Sequence, residues 1–391
     1  NRQLARRAAE SAITLLKNDA GTLPIDPGEV GMIAVIGPNA DRSLLGGYSG
    51  VPKHDISVLE GIRAAVGDDA EVVHAEGCRI TVGGSWNQDE VVPGDAEEDR
   101  RLIAEAVDVA CGADVVIVAI GGNEQTAREA WSLTHMGDRT SLDLVGRQTE
   151  LVDALVATGK PVVALLFNGR PLSIGAIANK VDALLECWYL GQECGHAVAS
   201  ALLGHTNPGG KLPITIPRSV GHVPVFYNHK PSARRGYLFD DVSPLFPFGF
   251  GLSYTQFAIE NVRLETESIE AGEGTRLTVD TINTGSRCGS EVVQMYIRDR
   301  VSSVTRPVKE LKGFRRVYLE PGERATVSID IAPESRSFYD INMGYVVEPG
   351  EFDIMVGSSS RDQDLRTTTL LVTGEVTPVR VGAGRAESRI D

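Results

Sequence analysis

The sequence predicts two folded parts in series: an α/β sandwich with a mostly parallel, flavodoxin-like open sheet, then an all-β sandwich of immunoglobulin or fibronectin type III-like kind. Three observations predict this. In the first half, short runs of β-branched and aliphatic residues alternate with longer helical patterns, the order that builds a parallel sheet covered on both faces. Those short runs are unbroken apolar blocks, as strands buried on both faces require. Past Phe257 the pattern changes to period two, with turn residues at short intervals, as in an antiparallel sandwich.

In order along the chain, residues 1–17 carry an amphipathic helical pattern that is expected to end near Lys17. MIAVIG (Met32–Gly37) is the first strand, followed by a helix around Val58–Val66 and the strand EVVHAEG (Glu71–Gly77). DRRLIAEAVDVACGA then reads as a helix, DVVIVAIGG (Asp114–Gly122) as a strand, GRQTELVDALVATG as a helix and PVVALLFNG as a strand. VDALLECWY supplies a last strand before a further helix. From about Pro213 the chain becomes Pro- and aromatic-rich without long periodicity, the mark of a docked connecting segment. The runs TRLTVDTINTG, EVVQMYIRD, RATVSIDI, EFDIMVGSS and LRTTTLLVTG supply the second sandwich. The expected organisation is therefore an α/β domain over 1–215, a linker over 216–257, a β-sandwich over 258–374 and a loose polar tail over 375–391.

Composition narrows the partners. A net charge of -15 over 391 residues, with no Lys/Arg-rich run, argues against nucleic acid or an anionic membrane and favours a neutral or cationic small molecule. No apolar stretch approaches the roughly 18 residues that cross a bilayer. The five cysteines form no CxxC and are odd in number, so they read as buried or free thiols. That favours a reducing, cytoplasmic setting unless an export signal precedes Asn1. Self-association into a homo-oligomer stays open.

In an open parallel sheet, ligands gather beyond the carboxyl ends of the strands. Four loops are expected to share that rim: Ile36–Asp41, the long stretch from Gly121 to Leu144, Phe167–Pro171 and Tyr189–Gly195. GPNAD and GGNEQ follow strands as a dinucleotide loop would, yet neither supplies GxGxxG and no GxxxxGK[ST] occurs. GxSxG and HExxH are also absent, so neither a serine nucleophile elbow nor a zinc motif is indicated. His135, His196, His222 and His229 read as hydrogen-bonded structural residues, and no metal or organic cofactor is called for.

What remains on the rim is carboxylate chemistry. Glu129 lies beside Arg128 and two residues before Trp131, in a segment too polar for core. A carboxyl held against an aromatic face is desolvated, which favours the protonated form that a general acid needs. A solvated loop carboxylate is the competing reading, for Glu129 as for Glu124 and Asp138. Asp138 has the further role of pairing with Arg139 or capping TSLDL.

Longer motifs then add a resemblance. AAESAITLLKNDAGTLPI, IAVIGPNAD, GDRTSLDLVGRQTELVDALVATGKPVVALLFNGRPLSI, WYLGQECGHAVASALLGHTNPGGKLPITIPRSVGHVPVFYNHKP, SPLFPFGFGLSYTQF and VVEPGEFDIMVGSSS resemble glycoside hydrolase family 3, its β-glucosidase and β-xylosidase members, over roughly residues 1 to 373. The resemblance implies a (β/α)8 barrel, an α/β sandwich and a fibronectin type III-like domain in series, of which this sequence matches the second and third. It also implies a retaining exo-hydrolysis of terminal β-linked sugars, from an oligosaccharide or an aryl or alkyl glycoside, with a nucleophilic Asp in a barrel domain or subunit. The sandwich contributes the general acid/base, a Glu upstream of a GDR-like turn. GDRTSLDL supplies that turn, so the role is carried over to Glu129, with Glu124 as second choice. Trp131 is expected to line an aglycone subsite, Arg128 to touch substrate, and Asp138 and Arg139 to pin the loop's return. LFPFGFGLSY reads as a seam between domains. The alternatives are a non-catalytic carbohydrate-binding or interaction module and, within the family, a phosphate-dependent enzyme.

Overall fold

The unbroken apolar runs of the first half form one six-stranded sheet: β1 (Thr14–Asn18), β2 (Met32–Ile36), β3 (Glu71–Ala75), β4 (Val115–Gly121), β5 (Val162–Phe167) and β6 (Ala183–Glu186). The computed structural model describes residues 1–233, 236–380 and 388–390. Every residue of β4, β5 and β6 is buried, which is why these runs show no alternation. The spatial order is β1-β6-β5-β4-β2-β3, and all neighbours from β6 to β3 are parallel. Counting only the parallel strands, this is the flavodoxin-like doubly wound order, with its switch point between β2 and β4.

Helices α1 (Arg2–Ala12), α2 (Val58–Val66), α3 (Ala96–Gly112), α4 (Gln148–Val156) and α5 (Cys194–Leu202) accompany the sheet. Local chemistry fixes two of their starts. Ser57 and Glu60 form a capping box at α2, and Asp95 accepts from the Glu97 and Glu98 amides at α3. The opening helix does not reach Lys17: it stops at Ala12, and Thr14–Asn18 becomes β1, antiparallel to β6. Ile13, Leu15 and Leu16 are all buried, so this run has two apolar faces, which suits a strand better than a one-sided helix.

The chain gathers into two compact units, Asn1–Gly210 with Ile216–Val223, and Lys211–Thr215 with Pro224–Asp391. The stretch expected as a linker, 216–257, is thus divided between them. Backbone bonding explains its larger share in the second unit. The Leu212 amide donates to the Phe250 carbonyl and the Gly249 amide to Leu212, both at 2.8 Å. Gln294 Nε2 donates to the Gly249 carbonyl at 3.0 Å, and Tyr227 stacks on Phe248 at 4.2 Å. PFGFG is therefore woven into that unit's own fold.

The second unit is a β-sandwich of β7 (Phe257–Leu264), β8 (Ser268–Glu270), β9 (Thr275–Asn283), β10 (Gly289–Asp299), β11 (Glu310–Leu319), β12 (Arg324–Ile331), β13 (Gly350–Gly357), β14 (Leu365–Thr373) and β15 (Ser388–Ile390). One sheet runs β8-β14-β13-β10-β11 and the other β15-β12-β9-β7. Inward residues of both, among them Leu277, Val279, Val293, Val327, Phe352 and Leu370, share one core. The tail is not loose where it is described: Thr377–Pro378 pairs with Tyr345–Val347, and β15 pairs with β12. Residues 381–387 and 391 of that expectation lie outside the described residues.

Candidate active site

The four loops do meet at the carboxyl rim of the first sheet. Asn39 Nδ2 donates to the Gly122 carbonyl at 3.1 Å, and the Gly122 amide donates to Phe167 at 2.7 Å. Tyr189 Oη donates to the Asn123 carbonyl at 3.3 Å, and Arg170 Nη2 to the Arg128 carbonyl at 2.6 Å. Gly121 makes the crowding feasible. Its φ is +133°, and a Cβ there would lie 2.0 Å from the Phe167 oxygen.

The loop after β4 opens with a one-turn helix, Glu124–Ala127, capped reciprocally by Asn123 and Thr126. Arg128 follows, only 3% exposed. Its guanidinium donates to four carbonyls: Met136 at 2.8 Å, Trp86 at 2.8 Å, Gln88 at 2.6 Å and Asp89 at 2.9 Å. These bonds tie the loop to the neighbouring 86–89 segment. His135 adds a second tie, its Nδ1 lying 2.7 Å from Asp89 Oδ1, and its ring sits 5.2 Å from Trp86 and 5.3 Å from Trp131. Tyr48 extends the aromatic row, 5.4 Å from Trp86.

The loop closes on itself at a narrow neck. The Ala130 amide donates to Asp138 Oδ1 at 3.2 Å. A Cβ on Gly137 would come within 2.6 Å of the Arg128 oxygen and 2.7 Å of the Glu129 carbonyl carbon, so only glycine lets the two arms approach this closely. Arg139 donates to the Asp143 carbonyl just beyond. Burial, with the Arg170 charge beside it, holds the Arg139 guanidinium below the usual arginine range.

Glu129 stands at this neck, exposed, and its carboxyl engages none of the described residues. The burial that the spacing suggested is absent, since Glu129 is exposed, and the Trp131 indole is itself 73% exposed and packs edge-on against His135. Glu124 lies within the one-turn helix, 3.5 Å from Arg42 Nη2. Burial pushes the neighbouring Tyr189 phenol up to about 12, and the Glu124 charge adds to that. Arg128 cannot fill the substrate-contacting role expected of it, since it is buried and its donors face backbone carbonyls. Of the histidines, His135, His196 and His229 are hydrogen-bonded within the fold. Among the described residues no three His, Cys, Asp or Glu gather as a metal site.

Two residues escaped the sequence reading. Arg170 reaches from the β5 loop to the neck, and Asn168 Nδ2 donates to its carbonyl at 3.0 Å. Glu186, at the end of β6, is 2% exposed, accepting from the Trp188 amide at 3.0 Å and facing Asn168 Nδ2 at 3.4 Å. Burial pushes its carboxyl up to about 8, against the pull of those hydrogen bonds. The available signal was an acid inside the apolar block ALLEC.

Comparison with known proteins identifies the family of both folded parts. The family model described as glycosyl hydrolase family 3 C-terminal domain matches residues 13–254, and the fibronectin type III-like domain matches 291–360. A β-xylosidase of Formosa agariphila is 43% identical over 384 residues, covering 95% of this chain and 50% of that protein. A periplasmic β-glucosidase of Salmonella typhimurium is 41% identical over 380 residues, covering 92% and 49%. The solved structure of a β-glucosidase from Erythrobacter marinus matches with a TM-score of 0.92 at 45% identity, over 95% of this chain and 50% of that one. The chain thus spans about half the length of the curated relatives it matches. With its α/β sandwich and its β-sandwich both accounted for, the chain belongs to glycoside hydrolase family 3.

Proposed function

We propose that this chain is part of a retaining, exo-acting β-glycosidase, of β-glucosidase or β-xylosidase type, and that Glu129 is its general acid/base. The observation that carries the reading is a carboxyl left exposed on a backbone fixed at both flanks, at the rim where a sheet of this order presents ligands. Such a group can reach outward without first breaking an ion pair, whereas Glu124 is turned toward Arg42. In the proposed reaction a carboxylate from a (β/α)8 barrel attacks the anomeric carbon. Glu129 protonates the leaving oxygen and then takes a proton from the attacking water, the two carboxyl groups lying about 5 to 5.5 Å apart. The Trp131 face, with Trp86 and Tyr48 behind it, offers a stacking surface for the leaving group.

The test is Glu129→Ala in the complete enzyme, assayed on aryl β-glucosides and β-xylosides of graded leaving-group ability. Turnover should fall by about 100-fold or more on poor leaving groups and least on dinitrophenyl glycosides, with azide restoring rate as the glycosyl azide forms. Unchanged kinetics would move the role to Glu124, and unchanged kinetics in Glu124→Ala as well would leave the chain as a non-catalytic carbohydrate-binding or interaction module.

A further inference from the structure

We propose that Arg170 is a positioning residue for Glu129, an inference that rests on the acid/base reading above. The peptide groups on the two sides of Glu129 are each held by a charged side chain from a different segment. On the N-terminal side, the Arg128 carbonyl accepts from Arg170 Nη2 at 2.6 Å. On the C-terminal side, the Ala130 amide donates to Asp138 Oδ1 at 3.2 Å. Hydrogen bonds with one ionised partner are among the stronger ones in proteins, so this pair fixes the Glu129 backbone while its carboxyl stays exposed and unengaged.

Arg170 is itself well placed to act as a strut. It leaves the end of β5, a fully buried strand, and its carbonyl accepts from Asn168 Nδ2 at 3.0 Å. The intervening Gly169 packs so closely on Tyr189 that a Cβ would sit 3.0 Å from that ring. The guanidinium is thus carried on a short, crowded loop anchored in the sheet, and it reaches the neighbouring loop at the residue before the acid/base. A group that transfers a proton must be held to well under an ångström of its working place. Arg170 supplies that constraint through backbone, without touching substrate.

The test is Arg170→Ala and Arg170→Lys in the complete enzyme, alongside Glu129→Ala. The expected result for Arg170→Ala is a kcat loss of about 10- to 100-fold on substrates with poor leaving groups, a smaller loss on dinitrophenyl glycosides and little change in KM. Guanidinium salts should restore part of the rate, azide should not, and Arg170→Lys should lie between. Loss equal across leaving groups, no loss, or no recovery with guanidinium overturns the positioning role while Glu129 keeps its own. If Glu129→Ala has no effect, both fall. Should the Ala variant fail to fold, the Lys variant carries the same leaving-group comparison.

Discussion

Glu186→Gln replaces a titratable carboxyl in the interior of the first unit with an amide of nearly the same shape. The carboxyl is buried at the end of β6, where desolvation outweighs the hydrogen bonds from Trp188 and Asn168 and pushes it up to about 8 from an ordinary 4.5. Between those values the folded chain keeps a proton that the unfolded chain releases. The folded value is the higher one, so this group's contribution to stability is complete at low pH and declines as pH rises through the folded value. At ~1.4 kcal/mol per pH unit, the window from 4.5 to about 8 amounts to on the order of 5 kcal/mol. The Gln variant keeps the acceptor for the Trp188 amide and has no proton to lose. Urea unfolding of wild type and variant at several pH values, following the first unit, isolates the effect from every other titrating group. The variant should gain on wild type by several kcal/mol between about pH 5 and about pH 9. A difference between the two proteins that stays constant to within about 1 kcal/mol across that range would refute the reasoning.

Two further outcomes follow from packing. Gly121→Ala places a methyl 2.0 Å from the Phe167 oxygen on a backbone at φ +133°, so it should cost about 3 kcal/mol or more, read as a lowered urea midpoint for the first unit. A wild-type midpoint would show that the β4–β5 junction can relax. Among the thiols, burial pushes Cys78 and Cys194 up to about 12 and holds Cys187 well above the usual range, while Cys111 and Cys288 are exposed. A thiol reagent should label Cys111 and Cys288 quickly and the other three only in denaturant; early labelling of Cys187 would contradict its burial.

Much of the first fold was legible because burial on both faces writes itself as an unbroken apolar run, as in β4, β5 and β6. The same rule misled at the N-terminus. ITLLK follows an amphipathic helix without a break in composition, and only the pairing of Thr14–Asn18 with β6 turns it into a strand. The tail was misjudged for a related reason: two of the three residues of Ser388–Ile390 are polar and the run is short, and its strand exists through pairing with β12. At the site, spacing alone left Glu129 no better than any loop carboxylate, and resemblance singled it out. The bracket around it was hidden because Arg170 and Asp138 lie far from each other in sequence and meet only at the neck. Arg128 was misread because a buried arginine serving four carbonyls looks, in sequence, like any arginine beside a candidate acid.

The antiparallel strand β1 closes one flank of the first sheet. Peeling it away would bare the backbone of Ala183–Glu186, an apolar ribbon with free amides and carbonyls, to any extended segment nearby. Conditions that loosen Thr14–Asn18 from β6 should therefore favour clumping well before the sheet itself melts.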